Sequence, residues 1–398
     1  MKQSDSRVRV LTYGGVPLWR DVRVIQAAAQ VVSAILVLGF LAFFIDNVLE
    51  AADARGLSLG FDFLSVSAGF PIGESVIDYD PSNTFARAFM VGIVNTLKVA
   101  GVGVVLATIL GTIVGVARLS TNWLVRMIAS IYIETIRNVP LLVQLFFWYF
   151  AVFQRLPPVK ESIHLSGVIF LNQRGVYMIW FDPTPTFSTW LFALAAAIVL
   201  AVILWVTLSR WQMRTGRSTY PVLSALGALI LVPALGWFLL TQPPLTLNVP
   251  VLGRFNFEGG IKLTTQFSAL LVGLVIYTAS FIAEIVRAGI QSVSRGQVEA
   301  ARAIGLSNMQ ALRLVIFPQA LRVLIPPLIS QYLNLTKNSS LAVAIGYPEL
   351  FTVGRIMINQ AGRAVPVFVM IMVAYLVMSL TYSIVLNLYN RRVRFVEL

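Results

Sequence analysis

Side chains able to do covalent chemistry are scarce in this sequence, and those present are spaced for holding and moving rather than for bond-making. Cysteine is absent, which removes thiolate nucleophiles, disulfide frameworks and sulfur-ligated metal sites. The single histidine, His164, cannot assemble a metal centre by itself, and no nucleophile arrangement accompanies it in its polar stretch. No phosphate loop ending in Gly-Lys-Ser/Thr occurs, so the chain is not expected to bind ATP in one. No catalytic residue, metal ligand or bound cofactor is therefore assigned to it.

What remains are charged and amide side chains set inside apolar stretches, where each is costly and a functional candidate by default. Lys337-Asn338-Ser339-Ser340 is the most polar of these groups. Lys337 follows Arg322 by fifteen residues, about 22 Å of helix, too deep to reach back to the cytoplasm. Its donors and acceptors suit the carboxylate and ammonium groups of a zwitterion, or equally an interhelical hydrogen bond or gate. Asn95 and Thr96, with Lys98, form a second polar notch, in which Lys98 is also readable as a packing residue. Glu134 and Arg137, and again Glu284 and Arg287, stand three apart on one helical face, as ion pairs that fix helix ends or as substrate contacts.

The elements that must carry these residues are membrane spans. Of the residues, 58% are hydrophobic and 12% charged, against roughly 25% charged in soluble domains. A span needs about 20 mostly apolar residues, and eight segments qualify: 24–46, 86–117, 130–154, 187–208, 219–240, 266–288, 321–346 and 364–389. The chain thus reads as an all-α polytopic integral membrane protein with about eight transmembrane helices. An even number places both termini on one side.

Basic clusters mark that side as cytoplasmic: Arg7, Arg9, Arg20 and Arg23; Arg118 and Arg126; Arg210, Arg214 and Arg217; Arg391, Arg392 and Arg394. The net charge of +13 is spread along these loops rather than gathered on one soluble face, which excludes a nucleic-acid reading. The acidic stretch Asp46 to Asp80, the polar loop 155–186 and the loop 242–262 face outward. The first apolar stretch reads as a retained anchor, because its basic lead is long and its core exceeds the ~7 to 15 residues of a cleaved signal. Ala107, Gly111 and Gly115 form a small-residue stripe that permits close helix approach. Pro326 and Pro327 are expected to kink or interrupt the seventh span.

Between the sixth and seventh spans lies a cytoplasmic segment, 292–318, too polar to span and too patterned to be loose. Glu299 to Ile304 favours helix, Gly305 sits where a helix ends, and Ser307 with Gln310 makes a capping box for a second, amphipathic helix running to Pro318. Two short surface helices would expose the paired alanines Ala300 and Ala301, flanked by Glu299 and Arg302. The shape suits docking into a partner's groove, or simply resting on lipid.

Glu299-Ala300-Ala301, then Gly305, then Val315-Ile316-Phe317-Pro318 resembles the EAA loop of bacterial ATP-binding-cassette (ABC) importer permeases, with conservative replacements at Val315 and Phe317. Residues 283–290 leading into Gly296-Gln297, residues 132–144, and Lys337 to Leu341 are similar to the amino-acid branch that takes up histidine, glutamine, glutamate, arginine and opines. In residues 132–144, Asn138-Val139 stands where Gly-Thr is commoner. The extended length resembles the larger permease of general L-amino-acid uptake systems.

That resemblance implies a five-helix type I importer core over 86–154 and 266–398, preceded by an N-terminal segment, 1–85, and interrupted by an outer loop and inserted hairpin, 155–265. It implies that Glu299, Ala300, Ala301, Arg302, Gly305 and Pro318 couple to an ATPase. It further implies a bacterial inner membrane location, a second related permease, two copies of a cytoplasmic ATPase that uses ATP and magnesium, and a periplasmic amino-acid-binding protein. The rival is an ion-gradient-driven transporter with Glu284 or Lys337 as its ion site, which leaves the Glu299 loop unexplained. A lipid-modifying enzyme would need an interfacial nucleophile or metal cluster, and the sequence offers none.

Overall fold

The computed structural model describes residues 12, 13, 16, 17, 22–54 and 59–393. Arg7, Arg9, Arg20 and Arg394, used above for orientation, lie outside them. A two-residue pair, β1 (Thr12–Tyr13) and β2 (Val16–Pro17), precedes α1 (Val22–Ala54). None of the apolar window of α1 is buried against the rest of the described chain, as suits a helix solvated by lipid.

The core is built on two parallel neighbours, α2 (Phe85–Arg118) and α7 (Thr265–Gln291). Both start at a threonine whose hydroxyl accepts an orphan N–H: Thr84 from Arg87, and Thr264 from Phe267. The small-residue stripe is the seam between them. A Cβ on Gly111 would lie 2.6 Å from Ile282 Cβ, and one on Gly115 2.7 Å from the Ala283 carbonyl oxygen.

The expected third span, 130–154, is two helices. α3 (Trp123–Asn138) and α4 (Leu141–Phe146) meet at a bend of 105°, and α4 continues through a π turn at 147–152 and a 3-10 turn to Arg155. Pro140 causes the break: it lacks an N–H and forces Val139 out of helical geometry, to ψ 126°. The Gln144 amide bridges the gap, donating to the carbonyls of Ile136 and Val139 at 2.9 Å each.

The seventh span departs from expectation in the opposite sense. α8 (Arg295–Ala303) is followed by α9 (Asn308–Ala311), a π turn at 312–316 and α10 (Phe317–Asn338), which carries Pro326 and Pro327 inside an unbroken helix. The adjacent prolines remove bonds from a single turn, and the buried Leu324, Ile325 and Ile329 hold that turn in place. The helix gives way only at Ser339–Ala344, a 3-10 turn.

Past that turn, α11 (Leu350–Ala361) packs on α2, where a Cβ on Gly92 would sit 3.0 Å from Leu350 Cα. The last span, α12 (Ala364–Val393), covers α10 and α11.

The inserted hairpin consists of α5 (Phe187–Thr215) and α6 (Pro221–Leu239), which pack chiefly on each other. The loops 155–186 and 242–262, in a chain read as all-α, carry short antiparallel sheets. β3 (Ile163–Leu165), β4 (Ile169–Asn172) and β5 (Gly175–Met178) join β10 (Ile261–Thr264) in the antiparallel order β10-β5-β4-β3. β6 (Trp180–Pro183) pairs with β7 (Leu245–Asn248), closing the base of the hairpin so that both its ends return to one place. A smaller pair, β8 (Val251–Leu252) and β9 (Phe257–Glu258), lies between β7 and β10. With seven long apolar helices, or eight if the bent pair is one span, the described residues match the expected polytopic architecture.

Candidate functional site

The sequence-selected residues fall into four places. The first is the 292–318 segment. α8 ends in a Schellman motif: Leu306 N–H donates to Ala301 O at 3.1 Å and Gly305 N–H to Arg302 O at 2.9 Å, with Gly305 at φ +82°. The capping box forms as its spacing predicts, Ser307 N–H to Gln310 Oε1 at 2.9 Å and Gln310 N–H to Ser307 Oγ at 3.3 Å.

Two expectations are corrected. The second helix is not a separate surface helix, because it runs through the π turn into α10, so any push on α8 bears on the seventh span. Only Ala300 is exposed, since α8 folds back on the 312–316 turn and successive residues point about 100° apart, turning Ala301 inward at 2% exposure. Glu299, Arg302 and Pro318 are exposed, as are Ile304 and Met309.

The second place is an ionic cluster near the inner ends of α2 and α7. Glu134 and Arg137 do not pair with each other. Glu134 lies 3.8 Å from Arg118, while Arg137 stacks 5.0 Å from the centre of the Phe281 ring. Glu284 pairs with Arg287 at 2.9 Å as expected and also with Arg118, a residue read from sequence only as a topology marker. α3 crosses α7 here, so cross-helix partners replace the expected intrahelical pair. Arg137 and Glu284 also line a cleft of about 390 Å³ with Val323 and Pro327.

The third place is the outer end of the core. Asn95 and Thr96 are fully buried. Asn95 Nδ2 donates to the carbonyls of Glu74 and Pro348, both at 2.8 Å, and Thr96 Oγ1 accepts from Leu350 N–H at 3.0 Å. Lys98 bonds the Glu74 carboxylate at 2.7 Å and lies 4.4 Å from the centre of the Phe267 ring, and the Thr264 hydroxyl donates to the same carboxylate. This notch ties the outer segment and the α10–α11 turn to α2. Nearby, Glu349 is a buried cap that sequence reading missed: its carboxylate accepts from the N–H groups of Phe351 and Thr352, the Thr352 hydroxyl and the Tyr375 hydroxyl. Burial pushes its carboxyl above the usual carboxylate range, against the pull of those bonds. Glu just ahead of a helix with Thr three residues on was the available signal.

The fourth place is the end of α10. Ser339 is buried, its hydroxyl donating to Thr336 O at 2.7 Å, and Asn338 is half-buried. Lys337 is exposed on the helix surface, and its ammonium has no partner among the described residues. The four places are distinct, and no metal-binding group of three or more His, Cys, Asp or Glu residues occurs among the described residues.

These places sit on a polytopic bundle with a broken span and a helical run, 308–338, continuous with a span. Residues 217–395 match the model of the family described as "Binding-protein-dependent transport system inner membrane component". The chain is 44% identical to the putative amino-acid ABC transporter permease protein YhdX of Escherichia coli K12, over 92% of this chain and 94% of that one. It is 42% identical to the general L-amino acid transport system permease protein AapQ of Rhizobium johnstonii, over 92% of each. With the glutamate/glutamine/aspartate/asparagine transport system permease protein BztB of Rhodobacter capsulatus the figure is 38%, over 95% of each. A crystal structure of an amino acid ABC transporter with histidines superposes with a TM-score of 0.47 at 23% identity, over 77% of this chain and 95% of that one. The chain belongs to the family of amino-acid ABC transporter permeases.

Proposed function

We propose that this chain moves L-amino acids, polar or of broad range, from the periplasm to the cytoplasm, as one half of a heterodimeric ABC importer in the bacterial inner membrane with both termini cytoplasmic. A second related permease completes the pathway, two copies of a cytoplasmic ATPase bind ATP and magnesium, and a periplasmic binding protein delivers substrate.

The observation that carries this reading is the continuity of the 292–318 segment with the seventh span. α8 presents Glu299, Ala300 and Arg302, and the Schellman turn and α9 beside it present the exposed apolar Ile304 and Met309. The helical run from Asn308 through the π turn into α10 is unbroken, and α8 is tied to it by the Schellman turn and by packing on the 312–316 turn, so a rigid-body movement of the ATPases on closing around ATP would reach the bundle. Differential binding of ATP to the closed state biases the switch.

Within the bundle, Lys337, Asn338 and Ser339 line the pathway where α10 gives way to the 3-10 turn, and the Arg118–Glu284–Arg287 network with Glu134 and Arg137 guards its inner end. Asn95 and Thr96 position the outer segment. Glu284 is held by two guanidinium groups, which leaves a poor ion site for a gradient-driven carrier.

The test is uptake in liposomes holding the reconstituted complex. ATP inside should drive accumulation of labelled amino acids with no ion gradient, and uptake driven by a gradient alone, without the ATPase, would overturn the reading.

A further inference from the structure

At the outer end of the core, a cleft of about 290 Å³ is lined by Glu74, Arg174, Lys262, Gln266, Thr352 and Ile356, together with residues 71–73, Gly346 and Pro348. Its volume sits at the lower edge of the roughly 300–1,000 Å³ usual for ligand pockets, which suits one small molecule.

The charges are separated. Arg174 and Lys262 form no ion pair among the described residues and make one side of the cleft positive, while the Glu74 carboxylate, shared with Lys98, makes the other side an acceptor. Capacity for bonding also remains. Arg174 spends one N–H on Phe255 O at 3.1 Å, out of five that a guanidinium offers, and each Glu74 oxygen accepts one bond and keeps a second lone pair.

The mounts are rigid. Lys262 lies in β10 opposite Tyr177, with its ammonium 5.8 Å from the centre of that ring. Arg174 precedes β5 in a turn closed by its own N–H to Asn172 Oδ1 at 2.9 Å. Glu74 is fixed from three sides, by Lys98, by Thr264 and by Asn95 through its backbone. Pro71, Ile72 and Ile356 supply an apolar wall.

We propose that this cleft is a receiving site for a zwitterionic α-amino acid, with the α-carboxylate on Arg174 and Lys262 and the α-ammonium on Glu74. The site rests on the importer reading above. It would hold a released substrate at the outer mouth before the pathway opens, and it selects for the backbone groups that all α-amino acids share.

The absence of cysteine from the chain makes a clean probe available. In the assembled transporter in nanodiscs, without binding protein or nucleotide, Ile356→Cys is modified by a membrane-impermeant thiol reagent, and labelling of this chain is read by mass spectrometry. A mixture of L-amino acids lacking cysteine should slow labelling, whereas their α-carboxamides should not. Combining Ile356→Cys with Arg174→Gln and Lys262→Gln should raise the protecting concentration about tenfold, the loss expected when charge-assisted bonds to one carboxylate are removed. Arg174→Lys with Lys262→Arg should retain protection.

Labelling unaffected by amino acids, in a complex that still performs ATP-driven uptake, would overturn this site and leave the importer reading standing. Equal protection by the α-carboxamides, or unchanged protection in the Gln variants, would also overturn it. Failure of ATP-driven uptake by the wild-type complex would remove both.

Discussion

Replacing Gly111 by alanine should weaken the α2–α7 seam by an amount that a second glycine of the same helix makes measurable. An added Cβ at Gly111 would stand 2.6 Å from Ile282 Cβ, 2.7 Å from Ile282 Cγ2 and 2.9 Å from the Ala279 carbonyl oxygen. A β-branched Cβ and a backbone oxygen cannot swing away, so the two helices must part by several tenths of an ångström. Overpacking of this kind costs about 1–3 kcal/mol. Alanine also gains about 1 kcal/mol over glycine in a helix interior, which masks part of that cost. Gly101, ten residues earlier in α2, has nothing within 4 Å of the same position, so Gly101→Ala carries the propensity gain alone. Unfolding in SDS mixed micelles should place Gly101→Ala at or above wild type and Gly111→Ala about 1–3 kcal/mol below Gly101→Ala. Equal stabilities for the two variants would refute the close approach of α2 and α7.

Three other outcomes follow from the polar contacts. Gln144→Leu strands the carbonyls of Ile136 and Val139, each about 1–3 kcal/mol to leave unbonded, and should lower both stability and uptake; a variant indistinguishable from wild type would mean that Pro140 needs no bridge. Lys98→Met and Glu74→Gln should each destabilise by about 1–3 kcal/mol, and the double variant should cost less than the sum by about 0.5–3 kcal/mol, so strict additivity would show that the pair does not interact. For Glu349, whose folded pKa is raised by burial, folding favours the protonated form. Its contribution is fully present below the unfolded value of about 4.3 and is lost as pH rises through the folded value. Glu349→Gln should therefore flatten the decline of stability with rising pH, and an unchanged slope would remove that cause.

The span count was legible because about 20 consecutive apolar residues are a local signal. The turn and cap of the 292–318 segment were legible for the same reason: Gly305 and the Ser307–Gln310 pair act within four residues of themselves. What stayed hidden depends on neighbours. Pro140 was visible, yet the 105° bend needs Gln144 to satisfy the freed carbonyls and α7 to receive the turned helix. Pro326 and Pro327 read as a kink or an interruption, and α10 is not interrupted there, with buried Leu324, Ile325 and Ile329 around the prolines. Glu134 and Arg137 were paired by spacing, whereas the packing of α3 on α2 and α7 gave them Arg118 and Phe281 instead. The outer sheet was concealed by reading 155–186 for polarity, although Val168 to Asn172 and Val176 to Phe181, set around Gln173-Arg174-Gly175, carry the β-branched and aromatic residues of a hairpin.

The 292–318 segment is proposed to transmit ATPase motion to the seventh span. Its most direct test is the number of amino acids taken up per ATP hydrolysed by the reconstituted complex, measured for Glu299→Lys and Gly305→Pro with membrane insertion checked. Gly305 at φ +82° cannot be replaced by proline, fixed near −65°, without losing the turn. Both variants should keep ATP hydrolysis while uptake falls away. Wild-type uptake per ATP in both would contradict it.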